Sequence, residues 1–200
     1  PPNVSDLTSL KELSIYAAEP VPPPRLERLS GLRSLSLAGF DSTPLPDSLP
    51  LEQLQLSLLG KTGAFLQRAL QYPTLRSLGL SLLDCPVALA LPQLERLTLS
   101  ASGPVLLDTL RQSALPGLRA LHLHRHSYEA LAPGALGDAL ARLPALEELS
   151  LHNLALPVTL PGTLRRLRLR ECVADVGALV GLEELTVKHP AGAPGRPSID

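Results

Sequence analysis

Along most of this chain the apolar positions fall into one recurring spacing: a leucine, two variable residues, a leucine, one variable residue, and a third leucine or β-branched residue. The skeleton returns nine times, beginning at Leu10, Leu32, Leu51, Leu75, Leu94, Leu118, Leu146, Leu164 and Leu182. Its starts lie 22, 19, 24, 19, 24, 28, 18 and 18 residues apart, a period typical of solenoids built from one supersecondary unit per repeat. After the second leucine the alternation has the period of a strand. Leu13-Ser14-Ile15, Leu97-Thr98-Leu99 and Leu185-Thr186-Val187 each send apolar side chains one way and polar ones the other. One such strand cannot bury its apolar face alone, but stacked copies can, as a parallel sheet on one side of a continuous leucine core.

Proline or glycine often stands just before the first leucine, as in Pro73-Thr74-Leu75, Pro92-Gln93-Leu94, Pro116-Gly117-Leu118 and Pro144-Ala145-Leu146. Such residues end the preceding segment and turn the chain into the strand. The return segments are unequal. Leucines near helical spacing predict short helices over residues 64–70, 105–110 and 135–143. Returns such as Asp41-Ser42-Thr43-Pro44-Leu45-Pro46 and Ala155-Leu156-Pro157-Val158 are too short and proline-rich for much helix, and predict extended or 3₁₀ turns. Strands packed side by side against wider returns should bend the stack into an arc.

The nine registered copies resemble the leucine-rich repeat family over about residues 4–188. The resemblance implies an α/β solenoid, an arc or horseshoe with a concave parallel β-sheet and a convex side of mixed short helices, 3₁₀ turns and loops. It sets one repeat domain at residues 1–188 and leaves residues 189–200, which include His189-Pro190-Ala191-Gly192-Ala193-Pro194-Gly195, as a Pro/Gly-rich tail or linker. The family often carries Asn or Cys three residues after the last core leucine, where the side chain satisfies backbone groups in the turn. Here only Cys172 fits. Ala18, Phe40, Leu59, Leu83, Ser102, His126, Leu154 and Pro190 occupy the other positions, so the asparagine ladder is absent and no subfamily is assigned. Neither end shows a polar capping module of the kind solenoid termini need.

Composition narrows this picture without changing it. Leucine makes up about a quarter of the 200 residues, aromatics only 2%, and Met and Trp are absent, so the core must be almost wholly aliphatic. A formal net charge of −1 argues against nucleic-acid binding, which normally needs a basic excess. No apolar run reaches the roughly 18 residues needed to span a bilayer, and the N-terminus has no signal-peptide pattern. The chain starts Pro1-Pro2 without Met, as a mature form or a fragment would. The Ala-, Arg- and Pro-rich, Lys-poor composition is similar to that of chains from high-G+C bacteria. Cys85 and Cys172 lie four strand positions apart, about 19 Å, beyond disulfide reach. Both are expected as buried thiols, which favours a reducing, cytoplasmic setting.

The positions flanking the core leucines point from the sheet into the concave face. Down the stack they read Ser14/Tyr16, Ser36/Ala38, Gln55/Ser57, Gly79/Ser81 and Thr98/Ser100, then His122/His124, Ser150/His152, Arg168/Arg170 and Thr186/Lys188. The first five rows are small and neutral; the last four are bulky and cationic or able to become so, and Arg166 adds a third guanidinium to the eighth. Arginine forks match carboxylates and phosphates, which makes this half a docking patch for an acidic group. The competing reading is solvated charge, with Glu148 and Glu184 in adjacent rows neutralising the arginines. The residue after each first leucine shows another order: Lys11, Arg33, Glu52, Arg76, Glu95, Arg119, Glu147, Arg165, Glu183. From the second copy the sign alternates strictly, and neighbouring strands set opposite charges side by side. This is read as register and solubility rather than as a site.

His122, His124 and His152 can converge, since alternate residues on a strand lie about 7 Å apart and adjacent strands about 4.8 Å. Three histidines with an open position would suit catalytic zinc. No carboxylate is evidently placed to support them, and an open sheet does not exclude water. The reading therefore assigns no metal, no cofactor and no catalytic residue. It prefers polar histidines that make binding sensitive to pH near 6.5. No phosphate loop, dinucleotide fingerprint or nucleophile elbow is present.

The function expected is a non-enzymatic protein–protein interaction module. A partner protein or peptide docks on the concave face, with an acidic contact to the basic C-terminal half, through Tyr16, His122, His124, His152, Arg166, Arg168, Arg170 and Lys188. The resemblance also implies an alternative: the recognition domain of a larger enzyme, effector or immune-type receptor whose catalytic part lies outside this chain. Neither nucleic acid nor membrane is expected as a partner, and the sequence sets no oligomeric state.

Overall fold

Each repeat contributes one strand, and the strands stack in chain order. The computed structural model describes residues 7–17, 26–39, 45–46, 49–57, 71–83, 85–126, 134–154, 159–172 and 179–188. In it nine strands form a single parallel sheet: β1 (Glu12–Tyr16), β2 (Ser34–Ala38), β3 (Gln53–Ser57), β4 (Ser77–Leu83), β5 (Arg96–Ala101), β6 (Ala120–Arg125), β7 (Glu148–His152), β8 (Arg166–Arg170) and β9 (Glu184–Lys188). The register sets like positions of successive repeats side by side, as in Leu97, Leu121, Leu149 and Leu167. Only β4–β5 shows a shift, between Ser81 and Leu83.

The proline pattern has a direct structural cause. Where a proline stands before it, the N–H of the first leucine closes a tight turn onto the carbonyl three residues back: Leu75 to Tyr72 (3.3 Å), Leu94 to Leu91 (3.1 Å), Leu118 to Leu115 (3.2 Å) and Leu146 to Leu143 (3.2 Å). Pro73, Pro92, Pro116 and Pro144 stand second in these turns, where the ring's fixed φ favours the turn and its missing N–H costs nothing. In the middle of the stack the residue that starts the turn is itself apolar and buried, as Leu29, Tyr72, Leu91, Leu115 and Leu143 are. It adds a fourth column to the core that the three-leucine spacing does not include. Thr74 and Thr163 tie the turns down by donating Oγ1–H to the carbonyls of Leu51 and Leu146, each at 2.7 Å.

The core runs between the sheet and the return segments. From Leu32 to Leu164 every first leucine is 0 or 1% exposed. At roughly 1.5–3 kcal/mol for each fully buried leucine, stacking of these columns is the main force holding the repeats together. Burial weakens at the last rung, where Leu185 and Val187 are 46% and 44% exposed.

Two described returns are helical, as the leucine spacing predicts: α1 (Gly103–Gln112) and α2 (Ala135–Leu140). Pro104 starts α1 in the first turn, where its lack of an N–H is tolerated. Leu106, Leu107 and Leu110 enter the core. The end of α1 is bonded to the preceding return: Ser113 Oγ donates to the carbonyl of Thr109 (2.6 Å) and accepts from the N–H of Leu89 (3.1 Å). A helix is about 10 Å wide and a strand spacing about 4.8 Å, so the sheet occupies the inner side of the stack. The helix expected at 64–70, most of the 41–46 return, all of 155–158 and the 189–200 tail lie outside the described residues. Among the described residues no helix is long and apolar enough to cross a membrane.

One expectation fails. Cys172 is buried, but Cys85 is exposed, because it lies beyond the end of β4 in a return segment rather than in a core column.

Candidate functional site

Four lines of side chains cross the sheet, one from each non-core position. At the rim, just before the strands, run Lys11, Arg33, Glu52, Arg76, Glu95, Arg119, Glu147, Arg165 and Glu183. Each rim carbonyl from Lys11 to Arg165 accepts two N–H groups from the next rung, as Arg33 O does from Glu52 (2.8 Å) and Gln53 (2.9 Å). This repeated bond fixes the rim side chains in single file. The expected pairing then forms between Arg33 and Glu52 (2.5 Å), Arg76 and Glu95 (2.5 Å), and Arg165 and Glu183 (2.6 Å). All six side chains are largely exposed, so each pair contributes only about 0–1 kcal/mol.

At the first strand position the C-terminal half carries Glu148, Arg166 and Glu184 side by side. The middle line places His122, Ser150, Arg168 and Thr186 in register. These two lines form one network. Glu148, whose side chain is 15% exposed, accepts from Arg168 Nη1 at 3.2 Å, lies 3.5 Å from Arg166 Nε, and faces His122 Nε2 at 3.9 Å. Arg168 also reaches Glu184 at 3.5 Å. Burial pushes the His122 imidazolium pKa below its usual value; Glu148 opposes the shift, while Arg168 and Arg96 add to it. Arg166 and Arg168 are therefore compensated within the sheet, as the competing reading of the sequence anticipates.

The line at the C-terminal ends of the strands differs. Here Ser100, His124, His152, Arg170 and Lys188 stand in register across β5 to β9. The rings of His124 and His152 stack in parallel, with centroids 4.2 Å apart and planes 7° apart. His126 tilts against His124 at 5.0 Å. Ser100 Oγ lies under them, 2.8 Å from His126 Nε2 and 3.3 Å from His124 Nδ1, and is buried. Among the described residues the one carboxylate here, Glu171, is 3.9 Å from Arg170 Nε and 4.0 Å from His152 Nε2. Burial lowers the His124 pKa, and so do His152, His126 and Arg170; Glu171 opposes them.

The turn beyond this line is built by the residue types the repeat resemblance points to. Cys172 accepts the N–H of Leu154 on Sγ (3.3 Å), and its S–H lies between the carbonyls of Leu151 (3.3 Å) and Arg170 (3.1 Å). Burial raises the thiol pKa, with the N–H of Leu154 and other neighbours opposing, so it stays protonated and bonded. Asn153 and Glu171, in the turns after β7 and β8, adopt φ of 60° and 55°. Asn153 Nδ2 donates back to the carbonyl of Arg125 at 3.1 Å.

Of the residues singled out from sequence, the structure gathers His124, His152, Arg170 and Lys188 on one line, and His122, Arg166 and Arg168 on the network beside it. Tyr16, 80% exposed, belongs to the same end line but sits on β1, five strand spacings or about 24 Å from His124. The carboxylates missed as neighbours of the histidines are Glu148 and Glu171. His126 and Ser100 were missed as members of the cluster, although His126 occupies the ladder position where the family favours Asn or Cys. The parallel ring stack does not converge His124 and His152 on one point, and among the described residues no group of three or more His, Cys, Asp or Glu side chains is arranged to hold a metal.

Fold and repeat together define the class: the chain is a leucine-rich-repeat-like solenoid, one strand of an open parallel sheet for each leucine repeat. No family model matches it, and no curated protein matches it. Among solved structures, an internalin from Listeria monocytogenes is similar over 92% of this chain at 15% identity, with a TM-score of 0.43. This chain spans 64% of that one, less than two thirds of its length.

Proposed function

We propose that this chain is a non-enzymatic interaction module whose open sheet face docks a partner protein or peptide, with an acidic segment of the partner lying over the basic half formed by β6 to β9. The carrying observation is the end line. His124, His152, Arg170 and Lys188 are consecutive on adjacent strands, and Glu171 is the one carboxylate within 4.0 Å of any of them among the described residues. A solenoid's inner sheet is an extended concave surface suited to such contact. The compensated Arg166 and Arg168 form the edge of the patch, available to exchange Glu148 or Glu184 for a carboxylate of the partner. Tyr16 adds an exposed aromatic at the far end of the face, where a longer partner would reach it.

The test is Arg166, Arg168 and Arg170 changed together to Glu. The triple variant is expected to fold, since all three side chains are 45% exposed or more, and to bind an acidic peptide at least tenfold more weakly than the parent. Unchanged affinity in the folded triple variant would remove the site assignment.

A further inference from the structure

The end line is more than a fixed basic patch, because two of its four members are imidazoles stacked face to face. We propose that it is a proton-coupled acceptor for an extended acidic peptide: His124 and His152 take up protons as the peptide's carboxylates bind, so that affinity rises as pH falls. This rests on the docking function proposed above and adds its regulation.

The geometry supplies the coupling. His124 faces Ser100 on β5, His126 beyond the end of its own strand, and His152 on β7; past His152 stand Arg170 on β8, Glu171 in the turn after β8, and Lys188 on β9. His152 lies between His124 and Arg170 in register, with Glu171 at 4.0 Å. With no ligand present, a proton placed on either ring of the stack meets a neighbouring ring and Arg170, with Glu171 the one carboxylate among the described residues within 4.0 Å of the line to offset them. Two protons on rings 4.2 Å apart repel each other strongly at this separation. A row of carboxylates laid along the line removes that opposition and gives each imidazolium N–H an acceptor. Proton and peptide therefore favour each other's binding, and the favour is reciprocal. The depressed affinity of His124 for its proton in the free protein is the reserve that the ligand releases. The line from Ser100 to Lys188 spans four strand spacings, about 19 Å, which an extended chain covers in about six residues. The middle line differs in that His122 already has Glu148 at 3.9 Å.

The experiment is calorimetric titration with octa-aspartate at low salt, at pH 7.5 and pH 5.5, each in two buffers of different ionisation enthalpy. Aspartate, with an ordinary pKa near 3.9, stays mostly ionised at both pH values. Affinity about tenfold or more higher at pH 5.5, with net proton uptake from the buffer, is the expected result. In the His124→Gln/His152→Gln double variant the pH dependence should disappear. Equal affinity at both pH values without proton uptake would overturn the proposal while leaving the docking surface standing. Absence of binding at both would overturn the docking function and this proposal with it. A pH dependence that persists in the folded double variant would overturn the assignment to these two rings. The buffer comparison on the parent protein decides the coupling even if the variant does not fold.

Discussion

Two files of charge cross the same sheet, and their contrast is the most instructive feature of the molecule. At the rim, sign alternates from rung to rung, and Arg33–Glu52, Arg76–Glu95 and Arg165–Glu183 close on each other. At the strands' far ends, His124, His152, Arg170 and Lys188 carry one sign or none, and among the described residues Glu171 stands alone against them. Stacking puts side chains of like position about 4.8 Å apart, so a file either alternates and neutralises itself or accumulates potential. The rim holds register; the end file holds a field for something else to meet.

The contrast can be broken first at the turn that supports the end file. Cys172→Ala removes one acceptor and one donor from buried backbone groups, and is expected to cost about 1–3 kcal/mol in urea unfolding. Thr163→Val, which removes the rim-side tie to Leu146, should cost no more than about 1 kcal/mol. The second comparison is of binding. Arg170→Glu with Lys188→Glu should weaken octa-aspartate about tenfold or more, whereas Arg33→Glu with Arg76→Glu should change it less than about threefold, because exposed compensated charge carries little. Third, Arg76→Glu and Glu95→Arg should each cost about 0.5 kcal/mol, and the double exchange should recover most of it in a mutant cycle. The smallest effect is on stability against pH. His122 and His124 have lowered pKa values in the folded chain. As pH falls through the ordinary histidine value near 6.5, the unfolded chain gains protons first and folding stability drops. The drop levels off once the folded histidines are also protonated. Urea midpoints at pH 7.5 and 5.5 should show it, and His122→Gln with His124→Gln should flatten it.

Much of this was legible in the chain. The leucine spacing led to the parallel sheet, its register and the helices α1 and α2 because every repeat restates the same constraint, and the alternation of rim charge follows from that register. Cys172 could be assigned to its turn because its position relative to Leu169 is the same in every copy. The compensation of Arg166 and Arg168 was visible as a possibility in Glu148 and Glu184. What the spacing could not convey lies off the repeat. Cys85 falls between repeats, where no periodicity speaks for burial. Glu171 and His126 come after the strand ends, where side-chain direction depends on the turn. Ring orientation is also invisible to spacing: His124 and His152 could equally have been splayed toward a metal, and only packing decides that they stack.

The claim on which the rest depends is that the end file of β6 to β9, and not the rim or the N-terminal rungs, meets the acidic partner. Mapping backbone amide chemical shifts while octa-aspartate is added tests it most directly. The perturbed amides are expected to cluster at His124, His152, Arg170 and Lys188 and their turn neighbours Asn153 and Glu171. Perturbations spread along Arg33, Arg76 and Arg165, or confined to β1 through β4, would contradict it.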